Sequence, residues 1–97
     1  MIDLTNYPML SARQHTPFFA DLTSGEQVMV VRTPTNLGYA NLIDHLGQIR
    51  LWRHGWQSKW WKAADAKKYF GIKGNKTTLV GQIEALKAEV EGFLGRA

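Results

Sequence analysis

The sequence predicts an α+β domain in which a three-stranded antiparallel β-meander is followed by two helices. Three observations support this fold class: a β-branched run at Val28–Val31, a turn-type tetrapeptide at Asp44–Gly47, and a helical apolar period over Leu79–Phe93. β-branched residues favour strands, whereas apolar residues three and four apart are typical of a helix face. A chain of 97 residues has the length of one domain.

The first 24 residues show no clear period, and we interpret 1–24 as an N-terminal arm that precedes a single small domain at 25–97. Tyr7 and Thr16 each precede a proline, which disfavours helical backbone at those two residues. We expect an extended arm that wraps the domain or awaits a partner. In the alternative interpretation, Phe18 and Phe19 pin the arm to the core.

The strands are expected within residues 26–53. The first is Glu26–Arg32, and the turn-forming residues 33–36 end it. Leu37–Ile43 and Ile49–Arg53 then form the second and third strands. Between them, Asp44–Gly47 has the Asp and Gly positions of a type I turn.

A rival interpretation makes Asn36–Leu46 a helix that Gly47 closes, because the apolar residues of this range also fit helical spacing from Tyr39. Gly38 near its start and the turn pattern at Asp44–Gly47 favour the strands instead.

Two helices are predicted at about 58–70 and 75–94. Ser58 would cap the first helix and Gly71 would end it, while Asn75 would cap the second. The second helix carries apolar residues at intervals of 4, 3, 4 and 3, namely Leu79, Ile83, Leu86, Val90 and Phe93. This stripe is expected to face the core, and it is also compatible with a homodimer seam along Leu79–Phe93.

The composition excludes several classes of function. The absence of cysteine excludes disulfides, a zinc ribbon and thiol catalysis. No secretory signal and no apolar run of about 20 residues is present, so we expect a cytoplasmic protein that does not enter a membrane. His15, His45 and His54 have no acidic residue at a spacing typical of a catalytic motif. The chain is therefore not expected to be an enzyme or to hold a metal or cofactor.

Positive charge is concentrated between Arg50 and Lys76. This segment holds all four tryptophans, eight of the twelve Lys and Arg residues and a single acid, so its charge is +7 within a chain of net charge +4. Cations that neutralise phosphates release condensed counterions, and aromatic rings can stack on bases. The segment therefore predicts a nucleic-acid surface, with duplex DNA favoured over RNA. Its predicted contacts are Arg50, Arg53, Trp56, Lys59, Trp61, Lys62, Lys67, Lys68, Lys73 and Lys76.

Residues 63–86 resemble a SAP-type helix–extended–helix motif. The sequence GNKTTLVGQI at 74–83 is similar to its second half, and Gly71-Ile72 resembles the Gly-Leu that closes its first helix. SAP-type modules bind DNA largely through its backbone, and the resemblance implies contacts from Lys73, Gly74, Asn75 and Lys76. The connector between the glycines is about two residues shorter than usual for that motif.

The alternative function is a small protein-binding inhibitor or adaptor of the kind encoded by phages and mobile elements. Its basic and aromatic face would engage an acidic protein surface, because Trp and Arg are enriched among residues that dominate protein interfaces. The tryptophans also have a structural interpretation, since large aromatic side chains commonly pack in cores.

Overall fold

The computed structural model describes residues 3–95, and within this range the chain forms five helices and one β-hairpin. In chain order the elements are α1 (Pro8–Ser11), α2 (Pro17–Thr23), β1 (Gln27–Val30), β2 (Thr33–Asn36), α3 (Leu37–Arg53), α4 (Ala63–Phe70) and α5 (Lys76–Phe93). The two long helices, α3 and α5, pack against each other, while α2 packs on α3 and α4 packs on α2.

The hairpin corrects the predicted sheet. β1 lies within the first predicted strand, but its partner β2 runs through residues 33–36, which were expected to form only a turn. Val30 pairs with Thr33, so Val31 and Arg32 form a two-residue connection with φ values of 47° and 66°. Positive φ at both positions is what a type I′ hairpin turn requires. The chain is α+β, but the three-stranded meander is wrong.

The predicted second and third strands are one continuous helix, α3. Asn36 begins it, because the Asn36 side chain accepts a hydrogen bond from the backbone N–H of Tyr39. The predicted turn at Asp44–Gly47 lies inside this helix, which also continues past the Gly47 end point of the rival interpretation. A helix can contain glycine at a cost of about 1 kcal/mol, which favourable packing outweighs.

Packing explains why α3 is helical. Tyr39, Leu42, Leu46 and Ile49 are spaced 3, 4 and 3 residues apart, and all four are buried. This spacing aligns them on one face of a helix, and that face meets α5. As alternating strand positions, the same residues would be divided between both faces of a sheet.

α5 follows the predicted second helix closely. Its core-facing residues Leu79, Ile83, Leu86 and Val90 are fully buried within the protomer. The stripe is therefore already covered by the chain's own core, and a homodimer seam along Leu79–Phe93 would have to open that core.

α4 is shorter than the sequence predicts, because it begins at Ala63 rather than near Ser58. Residues 54–62 form an irregular loop instead, which we call the tryptophan loop. Gly71 ends α4 with φ of 65°, as expected for a left-handed C-terminal glycine. The two C-terminal helices do not lie together on the sheet, since α4 packs against α2 and α5 packs against α3.

The segment before the hairpin is helical rather than extended. Leu10, Phe18 and Leu22 are buried in the core. The carboxylate of Glu89 on α5 accepts hydrogen bonds from the backbone N–H groups of Met9 and Leu10, which fastens the start of α1. Residues 1 and 2 of the predicted arm lie outside the described residues.

Among residues 3–95, no helix is both long enough and apolar enough to cross a bilayer.

Candidate nucleic-acid interface

The end of α3 and the start of α5 meet at Trp52. The Lys76 Nζ atom lies 5.1 Å from the centroid of the Trp52 ring, which is a cation–π distance. The Trp52 ring in turn lies 5.7 Å from the ring of Trp61, centroid to centroid. Lys76 is thereby brought beside the tryptophan loop, although these residues are far apart in sequence.

Trp61 is a core residue. Its side chain is 6% exposed, and its Nε1–H donates a hydrogen bond of 3.0 Å to Nδ1 of His45. A ring buried in this way has no face free for a base, so its predicted role as a nucleic-acid contact does not fit its position. Trp61 instead anchors the tryptophan loop to α3.

The two exposed tryptophans are Trp56 and Trp60, with 59% and 86% of their surface open to solvent. The Lys59 Nζ atom lies 5.3 Å from the centroid of the Trp60 ring. The sequence-based prediction included Trp56 but missed Trp60, which falls within the predicted helix at about 58–70, whereas that helix begins only at Ala63. The local sequence around Trp60 and Trp61 contains no pattern that shows which of the two rings is exposed.

Hydrogen bonds shape the tryptophan loop around these exposed rings. The backbone N–H of Trp56 donates to the carbonyl of Leu51, and Gly55 makes the required reversal with φ of 88°. Gln57 Nε2 donates to the carbonyl of Trp61 at 2.8 Å and closes the loop. The positions of Trp56 and Trp60 are therefore held by bonds to the end of α3 and within the loop.

Most of the predicted cations are open to solvent. Lys67 is half-buried, and the exposed ones are Arg50, Arg53, Lys59, Lys62, Lys68, Lys73 and Lys76. Within residues 3–95, Arg50 is the only member of this set with an ion-pair partner, since its Nη2 atom lies 3.6 Å from Oε1 of Glu84. The other charges are available to an anionic ligand.

Apart from Arg50, which pairs with Glu84, the cations divide into two groups. Lys76 lies against Trp52 near the end of α3, where Arg53 is the last helical residue, and Lys73 is three residues from Lys76. Lys59 and Lys62 lie in the same loop as Trp61, whose ring packs on Trp52. We call the exposed residues of this group the basic end, which comprises Arg53, Trp56, Lys59, Trp60, Lys62, Lys73 and Lys76. Lys67 and Lys68 belong to α4, which packs on α2, and they form the second group.

Asn75 caps α5. Its side-chain oxygen accepts hydrogen bonds of 3.1 Å from the backbone N–H groups of Thr77 and Thr78. The hydroxyl of Thr78 accepts from the N–H of Asn75, which completes a capping box. The side chain that the SAP resemblance assigns to DNA is thus engaged within the helix start, and the resemblance itself stays a prediction.

A half-buried polar network adjoins Trp61 of the tryptophan loop. The hydroxyl of Tyr69 donates to Oδ2 of Asp21 at 2.6 Å and accepts from Nδ2 of Asn41. The His45 ring stacks on Tyr69 while accepting the hydrogen bond from Trp61. Burial raises the pKa of Tyr69, and the hydrogen bond to Asp21 raises it further. This network joins α2, α3 and α4.

The pKa of His45 is lowered because burial penalises its charged form, although the carboxylates of Asp44 and Asp65 partly oppose this effect. A neutral ring suits its position, since Nδ1 must be unprotonated to accept the hydrogen bond from the Nε1–H of Trp61. Among residues 3–95, no group of three or more His, Cys, Asp or Glu side chains is arranged to hold a metal ion.

Comparison of the chain with protein-family models, curated proteins and solved structures found no match.

Proposed function

We propose that this protein binds nucleic acid without catalysis, and that duplex DNA is its ligand. The observation that supports the proposal most directly is the basic end, where exposed cations without ion-pair partners share one loop and the adjoining helix ends with the exposed Trp56 and Trp60. Phosphates would lie on the cations, and binding would gain free energy from release of the counterions condensed on DNA.

The two exposed rings give this surface a second mode of contact. An indole ring can pack on a sugar or stack on an unpaired base, in addition to the phosphate contacts. The lysines beside Trp60 and Trp52 keep positive charge next to apolar surface, a combination that suits a polyanion with apolar faces. Recognition would depend little on base sequence, because phosphate contacts carry no direct sequence information.

The proposal includes a cytoplasmic location, with which a chain free of cysteine is compatible. An acidic protein surface is the competing ligand, since Trp56 and Trp60 are also typical of protein interfaces. Nuclease treatment separates the two ligands: a partner that remains bound after nuclease would favour the protein ligand.

The decisive experiment is titration of a random-sequence DNA duplex, followed by tryptophan fluorescence at several salt concentrations. We expect a fluorescence change and an affinity that falls steeply with salt, by about 0.9 units of slope in log affinity against log salt for each phosphate contact. Because Trp56 and Trp60 are exposed, they are the rings expected to respond.

Lys76→Ala and Lys87→Ala form a matched pair on α5. Both remove one lysine, but Lys87 lies roughly 16 Å farther along the helix and pairs with Glu91. Lys76→Ala should lower the affinity and reduce the salt slope by about 0.9, while Lys87→Ala should leave both near the wild-type values. Equal affinities for both variants would overturn the assignment of the basic end, and tighter binding of single strands would overturn the choice of duplex DNA.

A further inference from the structure

The hairpin presents one open strand edge. The backbone N–H of Leu37 donates to the carbonyl of Glu26, which makes Glu26 and Leu37 a hydrogen-bonded pair at the base of the hairpin. Hydrogen-bonded and non-hydrogen-bonded pairs alternate along an antiparallel ladder. The register then places the N–H and C=O groups of Gln27 and Met29 on the side of β1 away from β2. Within residues 3–95, no backbone hydrogen bond of a turn, loop or helix cap uses these groups.

The two edges of the hairpin differ. On β2 the corresponding outward position is Pro34, which pairs with Met29 and has no N–H to offer. β1 contains no proline and no charged residue, and those are the features that usually protect an edge from pairing. Only the β1 edge is therefore equipped to accept another strand.

The side chains around this edge are apolar and exposed. Met29 is 66% exposed and Val31 is 91% exposed, while Val28 and Val30 are 39% and 40% exposed. Val30, Tyr39 and Ile43 line a groove of about 520 Å³ between the hairpin and α3. A hairpin of two strands buries little surface, and sheets of three or more strands are far more stable.

We propose that β1 pairs with β1 of a second copy of this chain, which joins the two hairpins into a four-stranded antiparallel sheet. The hairpin is electrically neutral, because its only charged residues are Glu26 and Arg32. Two positively charged copies can therefore meet here without bringing their basic ends together. An antiparallel strand is also self-complementary about a two-fold axis, as a symmetric dimer requires.

The side chains select the register. With Met29 on the two-fold axis, Met29 lies opposite the partner's Met29, and Val28 lies opposite the partner's Val30. Glu26 then lies beside the hairpin turn that carries the partner's Arg32. A shift to Val28 on the axis would instead place Glu26 opposite the partner's Val30. The first register pairs apolar with apolar and acid with base.

Cysteine substitution tests the register directly, since the chain has no cysteine of its own. In a hydrogen-bonded antiparallel pair the Cα atoms lie about 5.5 Å apart, a distance that a disulfide can bridge. Met29→Cys should crosslink with itself under mild oxidation. Val28→Cys should crosslink only when mixed with Val30→Cys. Ala85→Cys, which places an exposed thiol on α5, is the control for random collision.

Crosslinking of Met29→Cys at the rate of Ala85→Cys would overturn the proposal. Self-crosslinking of Val28→Cys in preference to Met29→Cys would overturn the register.

Sedimentation velocity of the unmodified chain over a range of concentrations tests the dimer itself. Met29→Lys places two like charges at the axis and should raise the dimer dissociation constant more than about 10-fold. Glu26→Arg should weaken the dimer by roughly 2- to 5-fold for each of the two symmetric pairs, and the double exchange Glu26→Arg with Arg32→Glu should restore it. Far-UV circular dichroism confirms that each variant is folded. A wild-type chain that stays monomeric up to high micromolar concentration would overturn the proposal.

Discussion

The two ends of α3 present exposed apolar side chains in opposite surroundings. At its start the neutral hairpin exposes Met29 and Val31 beside unpaired backbone groups. At its end, about 24 Å away along the helix, the basic end exposes Trp56 and Trp60 among unpaired cations. Exposed apolar side chains therefore do not by themselves indicate which kind of partner a surface binds. Strand edges favour another strand, whereas surrounding cations favour a polyanion.

The adjacent residues Trp60 and Trp61 give the largest expected effect, because Trp60 is exposed in the basic end whereas Trp61 is buried in the core. Trp61→Ala removes a buried ring and its hydrogen bond to His45, so we expect a loss of about 3–5 kcal/mol in the free energy of unfolding. Trp60→Ala should change stability by less than about 0.5 kcal/mol and should weaken DNA binding instead. Urea denaturation and duplex titration measure the two effects. Equal destabilisation by both substitutions would show that Trp60 is also a packing residue.

Gly38 and Gly47, both within α3, test how closely α2 packs against this helix. A Cβ atom at Gly38 would lie 2.6 Å from the backbone nitrogen of Leu22, so Gly38→Ala must push α2 away from α3. We expect a loss of about 1–3 kcal/mol in the free energy of unfolding. A Cβ atom at Gly47 meets nothing within 4 Å, so Gly47→Ala should stabilise the helix by about 1 kcal/mol. Thermal or urea unfolding of the pair checks the opposite signs, and a shared sign would contradict the close approach of α2.

Asn75 tests where the basic end stops, because it is adjacent to Lys76 but its side chain caps α5. Asn75→Ala removes the cap of α5 and should cost about 1 kcal/mol of stability. At a temperature where the variant is folded, its affinity for duplex DNA should match that of the wild type. Asn75→Ser keeps a capping oxygen and is the control for stability. A loss of affinity as large as that of Lys76→Ala would make Asn75 a ligand contact.

The pH dependence of stability gives the smallest expected effect. The pKa of His45 is lower in the folded protein than its ordinary value of about 6.5 in the unfolded chain. Below about pH 6.5, His45 therefore binds a proton more readily in the unfolded chain than in the folded protein. The contribution of neutral His45 is therefore complete above that pH and is lost as pH falls towards the lowered folded value. Denaturant midpoints measured from about pH 8 to pH 5 should fall for the wild type and change less for His45→Gln. An equal fall in both proteins would assign the dependence to other groups.

Regular, strongly periodic elements were predictable from the sequence. The apolar period of α5, its Asn75 cap and the glycine that ends α4 are each determined by residues within a few positions of one another. Local geometry acts over that range, so a cap or a helix face can be recognised without knowing what packs against it. The concentration of cations in residues 50–76 was likewise visible from sequence, because charge adds along the chain.

Tertiary structure decided α3 and the tryptophans. Residues 37–53 carry turn-type and strand-type signals together with helical spacing, and the burial of Leu42, Leu46 and Ile49 against neighbouring helices makes the helix the stable choice. Trp60 and Trp61 are identical neighbours in an irregular loop, where no period distinguishes inside from outside. His45, sixteen positions away, receives the hydrogen bond of one ring and leaves the other in solvent. Long-range contacts of this kind select among local alternatives that propensity leaves nearly equal in free energy.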